Sequence, residues 1–214
     1  MNTIHDNFSN TEIAVYHLIF LGNSITNTIK AFTNSIGKMD DMDEMALWVS
    51  TTSMTLIQTI SFLDEYDNFV LSDDEELNNT INAIKKSVKP AIKQIREWKE
   101  LREFRNEAIA HNLRDKNKMI SVFERGLSSY DIPQSGADMA VLYNCVLMVK
   151  QTFESAFGKI LIKIQQFLDQ HKEPAKERRF KSGEEANAAI ARITEEINKN
   201  ILELKILAGV LKLD

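Results

Sequence analysis

The sequence predicts an all-α protein, an up-and-down bundle of five to six helices, on three observations. The 214 residues include only seven Gly and three Pro, so little punctuates the chain. Apolar residues recur at three- and four-residue spacing over windows longer than twenty residues, the period of a helix buried on one side. No run of alternating apolar residues is long enough to build a sheet.

The helices are expected in this order. Ser9-x-x-Glu12 resembles a capping box and opens a helix from about Asn10 to Ile36, with Leu18, Leu21, Ile25, Ile29 and Phe32 on one stripe and Gly37 as the stop. A second, from about Asp41 to Asp67, turns Met45, Val49, Leu56, Ile60 and Leu63 inward. The third starts near Asp73 behind Ser72-x-x-Glu75 and has the cleanest stripe: Leu77, Ile81, Ile84, Val88, Ile92, Ile95. Pro90 predicts a kink or restart, but the apolar phase continues through it and on through Trp98, Leu101, Phe104 and Ala108 to about His111. A looser region covers Asn112 to Ser135. Ser135-x-x-Asp138 then opens a long helix to Gln170, with Leu142, Val149, Phe153, Phe157, Ile160, Ile164 and Phe167 inward. Pro174 and a basic connector lead to Ser182-x-x-Glu185 and a last helix from about Gly183 to Leu213. There Ile190, Ile193, Ile197, Leu204, Leu207 and Leu211 follow a heptad with Asn200 on the seam, a pattern that serves a bundle contact or an intermolecular one equally. The expected domains are a helical bundle over residues 1–171 and a C-terminal helix over 172–214.

Composition narrows the function. A single cysteine rules out an intramolecular disulfide framework and a cysteine-built zinc site, and Cys145, at helical spacing from Leu142 and Val149, reads as core. The N-terminus lacks a basic segment followed by an apolar one, and Ile13 to Leu21 is too short to span a bilayer, so no membrane role and a cytoplasmic location are expected. The net charge of −5 hides an asymmetry: residues 39–84 carry eleven acidic side chains and no Lys or Arg, whereas 85–118 carry eleven basic and five acidic ones. Overall charge argues against indiscriminate nucleic-acid binding and gives no expectation of DNA specificity. A local basic stretch can still hold phosphates.

Glycine-rich phosphate loops, nucleophile elbows and H-E-x-x-H are absent, and none of the four histidines has a second at ligand spacing, so neither metal nor cofactor is expected. His17, on an apolar helix face, reads as a core histidine. The segment that stands out runs from Trp98 to Lys116. With Leu101 at zero and about 100° per residue, Ala108, Trp98 and Phe104 mark an apolar arc and Arg105 falls inside it near +40°, with Arg102 on its edge. A buried arginine without a partner is costly. Arg105 therefore either pairs with a specific acidic group or opens into a cleft or interface that takes an anion. His111, about 9 Å further along and near −80°, does not share its face on a straight helix. Either the chain turns near His111 or two copies of the motif assemble the site.

The string Arg105-Asn106-Glu-Ala-Ile-Ala-His111, with Arg102 one turn before and Asn112 after, resembles the R-x(4–6)-H signature of the HEPN superfamily, in the form of its toxin and abortive-infection branches. The resemblance covers about 20 residues closely and the helical layout loosely. It implies an all-helical homodimer with the two motifs meeting at the interface, and a metal-independent endoribonuclease of a toxin–antitoxin or phage-defence system, in some members paired with a nucleotidyltransferase-type antitoxin. Others of the superfamily are inactive or only bind nucleotides. Residue chemistry suits the first role. A histidine can take the ribose 2′-OH proton or protonate the leaving oxygen, and a guanidinium can hold two phosphate oxygens. The site expected on these grounds is Arg105, Asn106 and His111, with Arg102, Arg114, Lys116 and Lys118 on the RNA backbone. The competing expectation is a non-catalytic interaction or nucleotide-binding module, its acidic block and C-terminal heptad docking partners and its Arg–His pair structural.

Overall fold

The first helix begins where Ser9 signals it. Ser9 Oγ accepts from Glu12 N at 3.2 Å, and Glu12 Oε2 accepts from Ser9 N at 2.8 Å, so α1 runs Asn10–Thr33 with two otherwise open amides satisfied. The computed structural model describes residues 4–35, 41–69, 72–106, 127–172 and 180–211, with side chains for all of these except 41–46, 127 and 202–211. The expected stop at Gly37 and the Met45 side chain lie outside the described residues. α2 is Asp41–Asp67 and α3 is Glu75–Ile95. α4 is a single turn, Leu101–Phe104, and α5 is Gly136–Gln170 behind a second capping box, Ser135 with Asp138. Among the described residues there is no strand, and the fold class is the all-α helical bundle that the sequence predicts.

α1 packs against α2 and α5, α3 packs against α5, and α4 touches α2. The shared core joins Leu18 and Ile25 of α1, Leu56, Ile60 and Phe62 of α2, Ile95 of α3 and Leu142, Val146 and Phe153 of α5, all shielded from solvent. Gly22 lets α1 and α5 approach closely: a Cβ there would sit 3.2 Å from the Lys150 side chain, whose Nζ donates to Asn23 Oδ1 at 2.8 Å. α2 is less purely apolar than its stripe suggested, burying Thr51, Thr52, Thr55 and Thr59 beside Leu56 and Ile60, and Val49 is only half-buried. Cys145 is buried, and desolvation holds its thiol above the usual range.

Three expectations are corrected. Ser72 does not cap α3. Asp74 does, its carboxylate accepting from Glu76 N at 2.9 Å and Leu77 N at 3.1 Å, because a charged acceptor serves two first-turn amides better than a hydroxyl. His17 is not in the core: its side chain is 54% exposed, with Nδ1 4.0 Å from Glu65 Oε1. On α1 it lies about 130° from the middle of the buried stripe. Finally, the third helix does not continue to His111. It passes through Pro90, whose ring lies on the exposed side, but ends at Ile95 with Arg96 as cap, and residues 96–100 form turns. A staple from the far side of the chain holds that break. Lys99 N donates to Asp131 Oδ2 at 3.1 Å, Glu100 N to Asp131 O at 3.3 Å, and Asp131 N to Glu100 Oε2 at 2.5 Å.

The chain divides into two compact units, Met1–His171 and Lys172–Asp214. In the second, α6 runs Gly183–Leu211, with Ser182 Oγ accepting from Glu185 N at 3.2 Å. Ile190, Ile193, Ile197 and Ile201 are exposed along it, as is Asn200. The side chains of Leu204, Leu207 and Leu211 lie outside the described residues. No described helix is long and apolar enough to cross a membrane.

Candidate functional site

The predicted motif begins on α4, and two buried residues set how that turn faces. Leu101 is buried, and Phe104, 1% exposed, packs edge-on against Tyr130 with ring centroids 5.4 Å apart. With these two turned inward, Arg102 and Arg105 point to the last turn of α2. Arg102 Nη2 donates to Asp64 Oδ1 at 2.5 Å. Arg105 Nη1 stands 3.7 Å from the other oxygen, Asp64 Oδ2. One turn further along α2, Asp67 is bonded by Arg96, the residue that caps α3.

These contacts give Arg105 an acidic neighbour, as the first of the two expectations has it. The pairing is loose, though. At 3.7 Å it is an electrostatic contact beyond hydrogen-bond length, and the Asp64 carboxylate already serves Arg102. Two guanidinium groups thus meet the one Asp64 carboxylate, and the Arg105 side chain is 34% exposed. Arg105 Nε donates to Asn106 Oδ1 at 3.4 Å, a long bond that links the exposed Asn106 to the guanidinium. Chemically, the arrangement can present an oriented, partly exposed guanidinium to an anion, with an amide beside it.

The structure thus brings together Arg102, Arg105 and Asn106 of the predicted residues. His111, Arg114, Lys116 and Lys118 lie outside the described residues. It adds Asp64, Asp67 and Arg96, which sequence reading missed. A signal for the two aspartates was present. Carboxylates in the last turn of a helix face the negative end of its dipole, and α2 ends in Asp64, Glu65 and Asp67 with no basic residue in that turn. Such a terminus requires cations from elsewhere, and the basic segment that follows α2 in the chain supplies them.

Two side chains beside this site have shifted titrations. Lys85 is half-buried with Nζ 4.9 Å from the ring centroids of both Tyr66 and Phe69. Desolvation is the largest influence and lowers its pKa below the usual lysine range. Burial likewise raises that of Tyr66, whose hydroxyl donates to Lys85 O at 3.3 Å.

No protein-family model, no characterised protein and no solved structure matches the chain.

Proposed function

We propose that the protein is a metal-independent endoribonuclease of the HEPN type, acting as a homodimer, with Arg105 and His111 as its catalytic pair. The observation that supports this best is the state of Arg105. It sits in the R-N-x-x-x-A-H string, is turned by buried neighbours toward solvent beside α2, and is held at 3.7 Å by a carboxylate already bonded to Arg102. A guanidinium so placed is oriented before substrate arrives, and, being a third exposed, it can meet a phosphate.

In the proposed reaction a histidine takes the proton of the ribose 2′-OH, and O2′ attacks phosphorus. The bond from phosphorus to the 5′-oxygen breaks, and a second proton donor protonates that oxygen. The products are a 2′,3′-cyclic phosphate and a 5′-hydroxyl. Arg105 stabilises the charge on the phosphorane, Asn106 orients it or the scissile group, and His111 from each of two protomers supplies base and acid. Such activity fits a toxin or phage-defence role in the cytoplasm, restrained by an antitoxin of the nucleotidyltransferase type. His111→Ala should abolish RNA cleavage while leaving helical circular dichroism and dimer size unchanged. A folded, dimeric His111→Ala protein that cuts RNA at the wild-type rate removes the proposal.

A second reading has its own observations. The contact with Asp64 gives Arg105 a structural partner, and Ile190, Ile193, Ile197 and Ile201 form an exposed apolar stripe on α6. Together these favour a helical interaction module that recruits a partner through α6 and catalyses nothing.

A further inference from the structure

Residues 77–96 contain Lys85, Lys86, Lys89, Lys93 and Arg96 and not one carboxylate. At about 100° per residue these five fall within an arc of roughly 100° on α3, away from its buried stripe of Ile81, Ile84, Val88, Ile92 and Ile95. With Tyr66 they line a groove of about 520 Å³. Lys86, Lys89 and Lys93 are exposed, and none of them forms an ion pair among the described residues. Asp67, near the groove, is taken by Arg96. Like charges three or four residues apart repel and weaken a helix, and here the pairs 85–89, 86–89, 89–93 and 93–96 stand together. Arg96 and Lys85 have partners in the fold, at Asp67 and over Tyr66 and Phe69, but Lys86, Lys89 and Lys93 offset this repulsion with none, so their use lies with a ligand that is itself strongly negative.

The geometry indicates which ligand. The stripe from Lys86 to Arg96 is roughly 15 Å long, a few nucleotides of single strand. It leads to the candidate site, because Arg96 is bonded to Asp67 while Arg102 and Arg105 lie at Asp64, one turn back on the same helix. A membrane-binding helix would interleave large apolar residues with its cations, and none of the exposed large hydrophobic residues of the bundle lies on α3. We infer that Lys86, Lys89 and Lys93 form a track for the RNA backbone flanking the scissile phosphate. The inference rests on the ribonuclease proposal for the identity of the polyanion as RNA.

The test measures binding without cleavage. A labelled 20-nucleotide single strand with 2′-O-methyl on every ribose has the phosphates but not the nucleophile, so its affinity for the full chain is independent of catalysis. The Lys86→Gln/Lys89→Gln/Lys93→Gln variant should bind about tenfold more weakly, and the slope of log affinity against log salt should fall by about two, as for three lost phosphate contacts. The triple Lys→Arg variant should bind like wild type, and Lys159→Gln/Lys163→Gln, on exposed positions of α5, should change neither quantity. An unchanged affinity and slope in a helical triple-Gln protein would overturn the inference. So would displacement of the strand by poly-glutamate at equal charge concentration, which would assign the groove to an acidic protein. If the track binds as expected but the 2′-hydroxyl form of the strand is never cut, the cleavage proposal fails and the track stands.

Discussion

Two arginines meet the last turn of α2, and they meet it differently. Arg96 meets Asp67 in a short contact, within the electrostatic reach of Lys85. Arg105 shares Asp64 with Arg102 and stands back at 3.7 Å. Residue types, host helix and local dipole are the same in both cases. What differs is distance and sharing: Arg96 bonds Asp67 directly and closes the end of α3, whereas Arg105 stands back from a carboxylate that Arg102 already bonds. Exposed ion pairs contribute little to stability, about 0–1 kcal/mol each, so neither is explained by folding energy alone. Arg96 acts as a clamp, and Arg105 is held more loosely at the surface.

The largest effect expected on this contrast comes from the side chain beneath it. Phe104→Ala removes the ring that orients α4 against Tyr130 and should cost about 3–5 kcal/mol in denaturant unfolding. A loss below about 1 kcal/mol would mean that α4, and with it the position of Arg105, is not set by this packing. Next is assembly. If the dimer forms through the segment around Arg105, then Ile193→Glu/Ile197→Glu on α6 should leave a dimer in light scattering at tens of micromolar, whereas a dimer held by the apolar stripe of α6 would fall to monomers. Asp64→Asn should then sharpen the comparison by freeing both its arginines. Binding of the uncleavable strand should strengthen, with the salt slope steeper by roughly 0.7. Asp67→Asn, releasing only the clamp at Arg96, should change that slope less. The smallest effect is thermodynamic: Arg96→Ala should shift unfolding free energy by less than about 1 kcal/mol.

How much of this was legible beforehand depended on the range of the interactions. α2 ends at Asp67, where its apolar periodicity stops. The capping boxes at Ser9 and Ser135 formed because all their partners lie within three residues. The break at 96–100 was invisible. Trp98, Leu101 and Phe104 continue the apolar phase of α3, no Gly or Pro marks the turn, and the group that stabilises it is Asp131, some thirty residues away. Arg105 could be identified as an arginine needing a partner, since its position among Leu101 and Phe104 demanded one. That the partner is Asp64 follows from how α4 packs on α2. His17 was misplaced for a subtler reason: it neighbours Leu18 and Ile13 in sequence but points about 130° from the centre of the buried face of α1.

The most direct measurement compares the two arginines in one assay. Wild type, Arg105→Ala and Arg96→Ala are each incubated with a single-stranded RNA in EDTA, after circular dichroism has shown all three to be helical, and products are read for 2′,3′-cyclic phosphate ends. Wild type should cleave, Arg105→Ala should lose about 10²–10³-fold, the scale of removing one donor to a developing oxyanion, and Arg96→Ala should cleave at a near-wild-type rate. Equal rates for Arg105→Ala and wild type, or equal losses for the two variants, would contradict the proposed role of Arg105.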